Sequence, residues 1–200
     1  MSSSLDEITK IISKLPGLGP RSARRLIFFL IKNKDTLIPE LSYHLSKIKN
    51  ELMTCEECGN IDILNPCSIC SNPDRDKKKI CIVEDVSDLM AIEKSAAFYG
   101  KYFVLGGVLS AIDGVGPEDL NIKKLIKKVS AHNIEEIILA TNSTIEGQIT
   151  AQYIAEQFSN NEILITRLAQ GMPQGGELDY IDETTLSTAI KSRNKFMTNP

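Results

Sequence analysis

The chain has no run of about 18 apolar residues, the least that a membrane-spanning helix needs. No targeting segment is recognisable either; Met1 to Ser4 are polar and are expected to fray. Cysteine is scarce outside one short stretch, with four of the five lying between positions 55 and 70. That scarcity argues against an oxidising compartment, where disulfides brace small folds. Together these absences make the cytoplasm the expected location, with no membrane-spanning helix expected. The net charge of −3 also lacks the positive balance usual in nucleic-acid proteins. What is present is ordinary: 200 residues, 42% of them hydrophobic, suit one domain or two small ones with a normal core.

The charge is unevenly spread. Residues 1–53 hold nine Lys/Arg against five Asp/Glu, a net of +4, and residues 54–200 hold fourteen against twenty-one, a net of −7. A basic front and an acidic back suggest one localised surface for a polyanion. A helix with a solvated basic face would give the same asymmetry.

The sixteen residues from Cys55 to Cys70 carry the most specific signal. Cys55-Glu-Glu-Cys58 and Cys67-Ser-Ile-Cys70 are two Cys-x-x-Cys knuckles separated by a turn-rich spacer. Two intervening residues let a tight turn aim both sulfurs at one point, and Gly59 relieves such a turn. Four thiolates converging at about 2.3 Å make a tetrahedral zinc site with no position left for water. The metal, Zn²⁺, is therefore expected to be structural. A redox pair would use one such motif beside a strand, not two around a spacer. Asn65-Pro66 and Asn72-Pro73 flank the second knuckle and keep it out of regular structure. Glu56 and Glu57 read as solvated loop residues.

Ahead of the knuckles, Leu5, Ile8, Ile11, Ile12 and Leu15 form one helical stripe, and Ala23, Leu26, Ile27, Leu30 and Ile31 form a second. Leu15-Pro16-Gly17-Leu18-Gly19-Pro20 breaks them apart. Gly17 and Gly19 permit φ > 0 or close approach of another backbone, and Pro20 suits the first position of a helix. Unpaired amides at that helix start, beside Arg21, Arg24 and Arg25, are suited to a phosphate. This is the helix-hairpin-helix pattern of DNA binders that do not read sequence. Phe28, Phe29, Leu37, Ile38, Leu41, Leu45 and Ile48 are expected to build the small core of this segment. His44 has no visible partner and reads as structural or exposed.

Beyond residue 79, short apolar runs alternate with helical stretches. Strands are expected at 80–83, 102–105, 137–140 and 163–165, with helices at about 86–98, 118–131 and 149–158. This alternation reads as βαβ units around a mostly parallel, buried sheet. Lone Cys81 lies on a strand and is expected in the core. Sites in such sheets form at the carboxyl ends of strands, where Glu84, Asp85, Asp88 and Glu146 fall. These carboxylates could gather around Mg²⁺; Asp85 and Asp88 could equally be helix caps. The glycine-rich loop from Gly106 to Gly116 lacks the Lys-Ser/Thr of a P-loop. Leu178 to Ile181 read as a possible strand, and Thr184 or Thr185 as the cap of a last helix.

End to end, the chain resembles the RecR family of bacterial recombination mediators. The resemblance rests on Leu-Pro-Gly-Leu-Gly-Pro-Arg-Ser-Ala at 15–23, the four cysteines, and Ile-Cys-Ile-Val-Glu at 80–84. It continues through Leu-Gly-Gly and Asp-Gly-Val-Gly-Pro-Glu-Asp within 105–119, Ala-Thr-Asn-Ser-Thr-Ile-Glu-Gly at 140–147, and Arg-Leu-Ala-Gln-Gly-Met-Pro-Gln-Gly-Gly-Glu-Leu-Asp-Tyr at 167–180. Gln174 and Ser192 depart from the usual pattern. The resemblance implies an α/β protein in four parts: a helix-hairpin-helix domain over 1–53, a four-cysteine zinc finger over 54–76, a Toprim domain over 77–172 and a carboxyl-terminal oligomerisation segment over 173–200. It further implies a ring-shaped homotetramer on duplex or gapped DNA, nucleoid-associated during repair. Such a ring works with RecO and RecF to load recombinase and has no enzymatic activity.

A catalytic Toprim domain carries Glu after its first strand and Asp-x-Asp after its third. Glu84 fits the first. The second reads Asn142-Ser143-Thr144. Neutral Asn and Thr are poor at holding Mg²⁺ for phosphoryl chemistry. Bound Mg²⁺ is therefore expected to be weak or absent, leaving Glu84, Asp88 and Glu146 as a possible acidic site or docking point for a partner. Two rival functions remain at this level: a Mg²⁺-dependent nuclease or topoisomerase-like strand cutter, and a zinc-bearing adaptor that does not touch DNA.

Overall fold

The computed structural model describes residues 3–159 and 162–193. Met1 and Ser2, and the last seven residues of the expected carboxyl-terminal segment, lie outside them. The chain divides into two compact units, Met1–Met53 and Thr54–Pro200.

The first unit holds α1 (Ser3–Ile12), α2 (Pro20–Lys32) and α3 (Leu37–Glu51). Helices α1 and α2 pack across the hairpin, burying Ile12, Ala23 and Ile27 with Leu5 and Leu18 beside them. The core expected here differs. Phe28, Phe29, Ile38, Leu41, Leu45 and Ile48 are 39–62% exposed, and α3 buries no residue. Periodicity identifies the apolar face of a helix but not what covers it, and the described residues of this unit bury no residue of α3.

A two-stranded ribbon, β1 (Met53–Thr54) and β2 (Ile61–Asp62), starts at the boundary, and the one-turn helix α4 (Ser68–Ser71) follows in the second unit. Then follow β3 (Asp76–Val83), α5 (Val86–Ser95), β4 (Gly100–Val104), α6 (Ile122–Ala131), β5 (Glu136–Leu139), α7 (Ile145–Gln157) and β6 (Leu164–Arg167). All four larger strands are parallel, in the order β4-β3-β5-β6. Alternation along β3 explains the layers. Ile80 and Ile82 face one core with Phe103, Leu125, Ile137 and Ile154. Cys81 and Val83 face the other, with Leu89, Tyr102, Val104 and Ala140. Cys81 is thus a core residue as expected, and burial pushes its thiol up to about 12.

Helices α6 and α7 differ from expectation at their starts. Pro117-Glu118-Asp119 stays in the loop before α6, and α7 begins one turn early because the Thr144 hydroxyl accepts from Gly147 N–H at 3.0 Å. In the tail, Leu178–Tyr180 is a 3-10 turn, not a strand. The final helix, α8 (Glu183–Lys191), is capped by Asp182, not by Thr184 or Thr185. The Asp182 carboxylate accepts both the N–H and the hydroxyl of Thr185, at 2.9 and 2.7 Å. A carboxylate competes better than a hydroxyl for a helix's free amides. Ser192 donates to the carbonyls of Gln170 and Thr188, anchoring the end of α8.

One partly buried ion pair ties Arg75, just before β3, to α5. The Arg75 side chain is 9% exposed; it pairs with Glu93, donates to Gly100 O at 3.1 Å and lies 5.4 Å from the Tyr99 ring centroid. Replacing it with methionine strands a carboxylate that keeps some solvent contact. The expected cost is about 2 kcal/mol, below that of a fully buried pair. An unchanged urea midpoint for Arg75→Met would contradict this.

Candidate metal centre and nucleic-acid interface

The four knuckle cysteines converge. The sulfurs of Cys55, Cys58, Cys67 and Cys70 all lie within 4.8 Å of one another. Cys58 Sγ and Cys67 Sγ are 3.6 Å apart, close to the about 3.8 Å edge of a tetrahedron with 2.3 Å metal–sulfur bonds. Cys55, Cys58 and Cys67 are almost wholly buried. The backbone supplies N–H···S contacts, from Cys67 N to Cys55 Sγ at 3.3 Å and from Cys70 N to Cys67 Sγ at 3.5 Å. Donor type, number and spacing therefore fit a metal ion. The thiols on their own are poorly matched. Burial opposes ionisation of Cys55, but backbone N–H groups of Cys67, Cys58 and Glu57 bring it below its usual value. Cys70 is pushed far up by its hydrogen bond to Cys58, by burial and by its neighbours' charge. Crowded thiolates need a central cation to share their charge.

The knuckles are built onto the sheet. Val104 N–H, on edge strand β4, donates to Cys58 O at 2.7 Å, so the first knuckle covers that edge. Gly59 has φ +79°, and a Cβ there would sit 3.1 Å from Val104 O; the turn and the close approach both call for glycine. Lys101 donates to the carbonyls of Ile69, Cys70 and Asn72 at 2.9–3.0 Å, closing the end of α4. At its start the Asp62 carboxylate accepts from Ser68 N and Oγ, which holds Asp62 below the usual carboxylate range. Three knuckle cysteines and Ile69 thereby join the core of Cys81, Val83 and Tyr102. Lys101 and Asp62 carry no motif, and sequence reasoning missed both. Glu56 and Glu57 are exposed as expected, with Glu57 3.6 Å from Lys128.

The hairpin also takes the expected form. Gly17 has φ +78°, Gly19 is the extended N-cap of α2 with no side-chain cap, and Pro20 stands at the first helical position. Arg21, Arg24 and Arg25 are exposed on the first turns of α2. The amides at that end and the three guanidinium groups thus lie on the surface together. His44 is exposed, edge-on to Tyr43 at 5.2 Å.

The carboxylates behave differently. Glu84 is 8% exposed. Its Oε1 accepts from Asn142 N–H at 2.7 Å and its Oε2 from Asn142 Nδ2 at 2.6 Å. This bridge joins the carboxyl ends of β3 and β5, the point where the strand order reverses. Asp85 and Asp88 form a capping box on α5, so Asp88 serves the helix. Glu146 lies in the first turn of α7, where the helix dipole favours it. Among the described residues the cysteine quartet is the only group of three or more such side chains that could hold a metal; Glu84, Asp88 and Glu146 form no such group. Beyond β5 and β6 a cleft of about 300 Å³ includes Asn142, Ser143, Gln148, Arg167 and Gln170 in its walls.

Comparison with known proteins follows this layout. The family model described as "RecR, helix-hairpin-helix" matches residues 5–49, the Toprim domain model 78–169, and "RecR, C-terminal" 171–194. A "Recombination protein RecR" of Erythrobacter litoralis is 50% identical over 192 residues, covering 96% of this chain and 97% of its own. The protein of that name from Rhizobium rhizogenes is 50% identical over 94% of both chains. That from Novosphingobium aromaticivorans is 48% identical over 96% of this chain and 97% of its own. Domain models in this order and near-complete relatives at half identity lead to one conclusion: the chain belongs to the RecR family of recombination proteins.

Proposed function

We propose that this protein is a non-enzymatic, DNA-binding mediator of recombination repair. The observation that carries the reading is the amino end of α2: an uncapped helix start, a Gly-x-Gly-Pro hairpin and three exposed arginines. Amides and guanidinium groups there bind backbone phosphates through Gly17, Gly19, Arg21, Arg24 and Arg25 without reading bases. The metal at Cys55, Cys58, Cys67 and Cys70 is structural zinc, since four thiolates leave no open position. The Toprim domain cuts no strands. Its Glu84 spends both oxygens on Asn142, so any Mg²⁺ is held weakly or not at all. Of the acidic residues read as a docking point for a partner, Glu84 and Asp88 are engaged within the chain, and Glu146, half-buried in the first turn of α7, is left to that role.

The parts are a helix-hairpin-helix domain over 1–53, a zinc finger over 54–76, a Toprim domain over 77–172 and a self-association segment over 173–200. Exposed apolar side chains on α2 and α3 support assembly of several copies, read as a homotetrameric ring around DNA. Within the cytoplasm, at the nucleoid during repair, the ring works with RecO and RecF to load recombinase at gaps.

The test is anisotropy of labelled gapped duplex against zinc-loaded protein with Mg²⁺ at several salt concentrations, the same samples then being run on a denaturing gel. Salt-sensitive binding with intact strands is expected. Arg21→Ala/Arg25→Ala should lower the log–log salt slope by about two units, near one per phosphate contact. Cut strands that vanish in Glu84→Ala would make the protein an enzyme. No binding even at low salt would make it an adaptor.

A further inference from the structure

The second unit is acidic, at fourteen basic residues against twenty-one acidic. Yet α6, ten residues long, carries Lys123, Lys124, Lys127 and Lys128 and no acid. Leu125 and Val129 are buried against the sheet, and Lys123, Lys124 and Lys127 are exposed. Spacings of three and four residues put those three on one face.

Local structure does not account for them. Lys128 pairs with Glu57, and the lysines of β3 at 78 and 79 pair with Glu135 and Glu136. The side chains of Lys123, Lys124 and Lys127 make no ion pair or hydrogen bond among the described residues. Glu56 shares a small cleft with Lys124 without pairing to it. Asp119, just before the helix, is turned to Gly116 N–H at 2.9 Å. Like charges three and four residues apart weaken a helix. Lysines in the first turn also oppose the helix dipole. These charges are thus set against the helix that carries them.

We infer that the lysine face of α6 is a second contact for the DNA phosphate backbone, separate from the hairpin. The assignment rests on the DNA-binding reading above. Lys123 and Lys127 are about 6 Å apart along the helix axis, so both can face the backbone of one strand. Three mobile ammonium groups, unlike a guanidinium fork, act as point charges that suit phosphates in any register. The face continues from a metal knuckle held to α6 by Lys128, which donates to Glu57 O at 3.1 Å. The helix therefore presents its charges from a fixed support.

The experiment uses the full-length, zinc-loaded chain and labelled duplex and single-stranded oligonucleotides, with salt slopes measured by anisotropy. Lys123→Gln/Lys124→Gln/Lys127→Gln should lower the duplex slope by about two to three units, with metal content unchanged and a melting temperature unchanged or raised. The comparison variant Lys77→Gln/Lys78→Gln/Lys79→Gln removes the same formal charge from β3 and should leave the slope near that of the parent. Equal losses in both variants would mean that overall charge, not this face, is felt, and would overturn the inference. A parent that binds with a slope lowered by Arg21→Ala/Arg25→Ala but not by the α6 substitutions would overturn it too, while leaving the hairpin reading intact. A parent that never binds DNA would end both.

Discussion

Cys58→Ser should release the metal and melt the knuckles, taking part of the sheet's second core with them. Cys58 is fully buried, and its carbonyl holds the edge of β4 through Val104. Its neighbours Cys55, Cys67 and Ile69 share a cluster with Cys81, Tyr102 and Val104. A structural zinc contributes about 10–16 kcal/mol of binding free energy in isolated finger peptides. A third of that, about 3–5 kcal/mol, is a large part of the stability of an ordinary domain, about 5–15 kcal/mol. The expected fall in melting temperature is on the order of 10–20 °C, at about 2–4 °C per kcal/mol for a unit of this size. Incubation with a chelator should reproduce it in the parent. Cys81→Ala is the comparison: it removes a buried sulfur outside the quartet, so it should cost about 1 kcal/mol and leave one metal per chain. Metal analysis and thermal scans of the three proteins decide the matter. A Cys58→Ser protein with full metal and parental melting would sink the assignment.

Asn142→Asp is expected to have the next largest effect. In the parent, Asn142 gives Glu84 two hydrogen bonds, one from its backbone and one from its amide. An aspartate keeps the first and replaces the second donor with a second carboxylate against a side chain that is 8% exposed. Two adjacent carboxylates cannot both ionise cheaply. The loss at pH 7 should be about 3 kcal/mol. The sign of the pH dependence follows. The folded variant holds a shared proton more tightly than the unfolded chain does, so its shared pKa is raised. The deficit should therefore shrink as the pH falls from 7 toward 5 and be largest above neutrality. Millimolar Mg²⁺ should also narrow it, since two carboxylates recreate a hard-cation site. Urea melts at pH 5 and 7, with and without Mg²⁺, test this. Parental stability and an unaltered pH profile would mean that Glu84 does not depend on Asn142.

Several residues disclosed themselves in the sequence because their chemistry is local. Two Cys-x-x-Cys turns can bring four sulfurs together almost regardless of what surrounds them. Gly17 and Pro20 set backbone angles that only a hairpin followed by a helix start can use. The alternation of apolar strands with helices fixes parallel pairing, because a buried strand needs cover on both faces. Cys81 could be placed inside for the same reason.

Residues whose role depends on distant partners did not disclose themselves. Lys101 is an ordinary lysine until β4 brings it within 3 Å of three carbonyls from residues 69–72. Asp88 could be a metal ligand or a cap by its spacing, and the capping box decides it. The apolar stripe of α3 looks like a core helix, yet it buries nothing among the described residues of its own unit.

By itself, then, the sequence determined the order of the parts, the four-cysteine site and the basic hairpin, all set by spacings of a few residues and by backbone geometry. Only the tertiary structure decided that the knuckles share the sheet's core and that Glu84 is occupied by Asn142. It also decided that the small core of the first unit stops at Ile12, Ala23 and Ile27. The reason is the same in each case: burial and hydrogen bonding between separate elements depend on which elements meet, and periodicity within one element does not contain that.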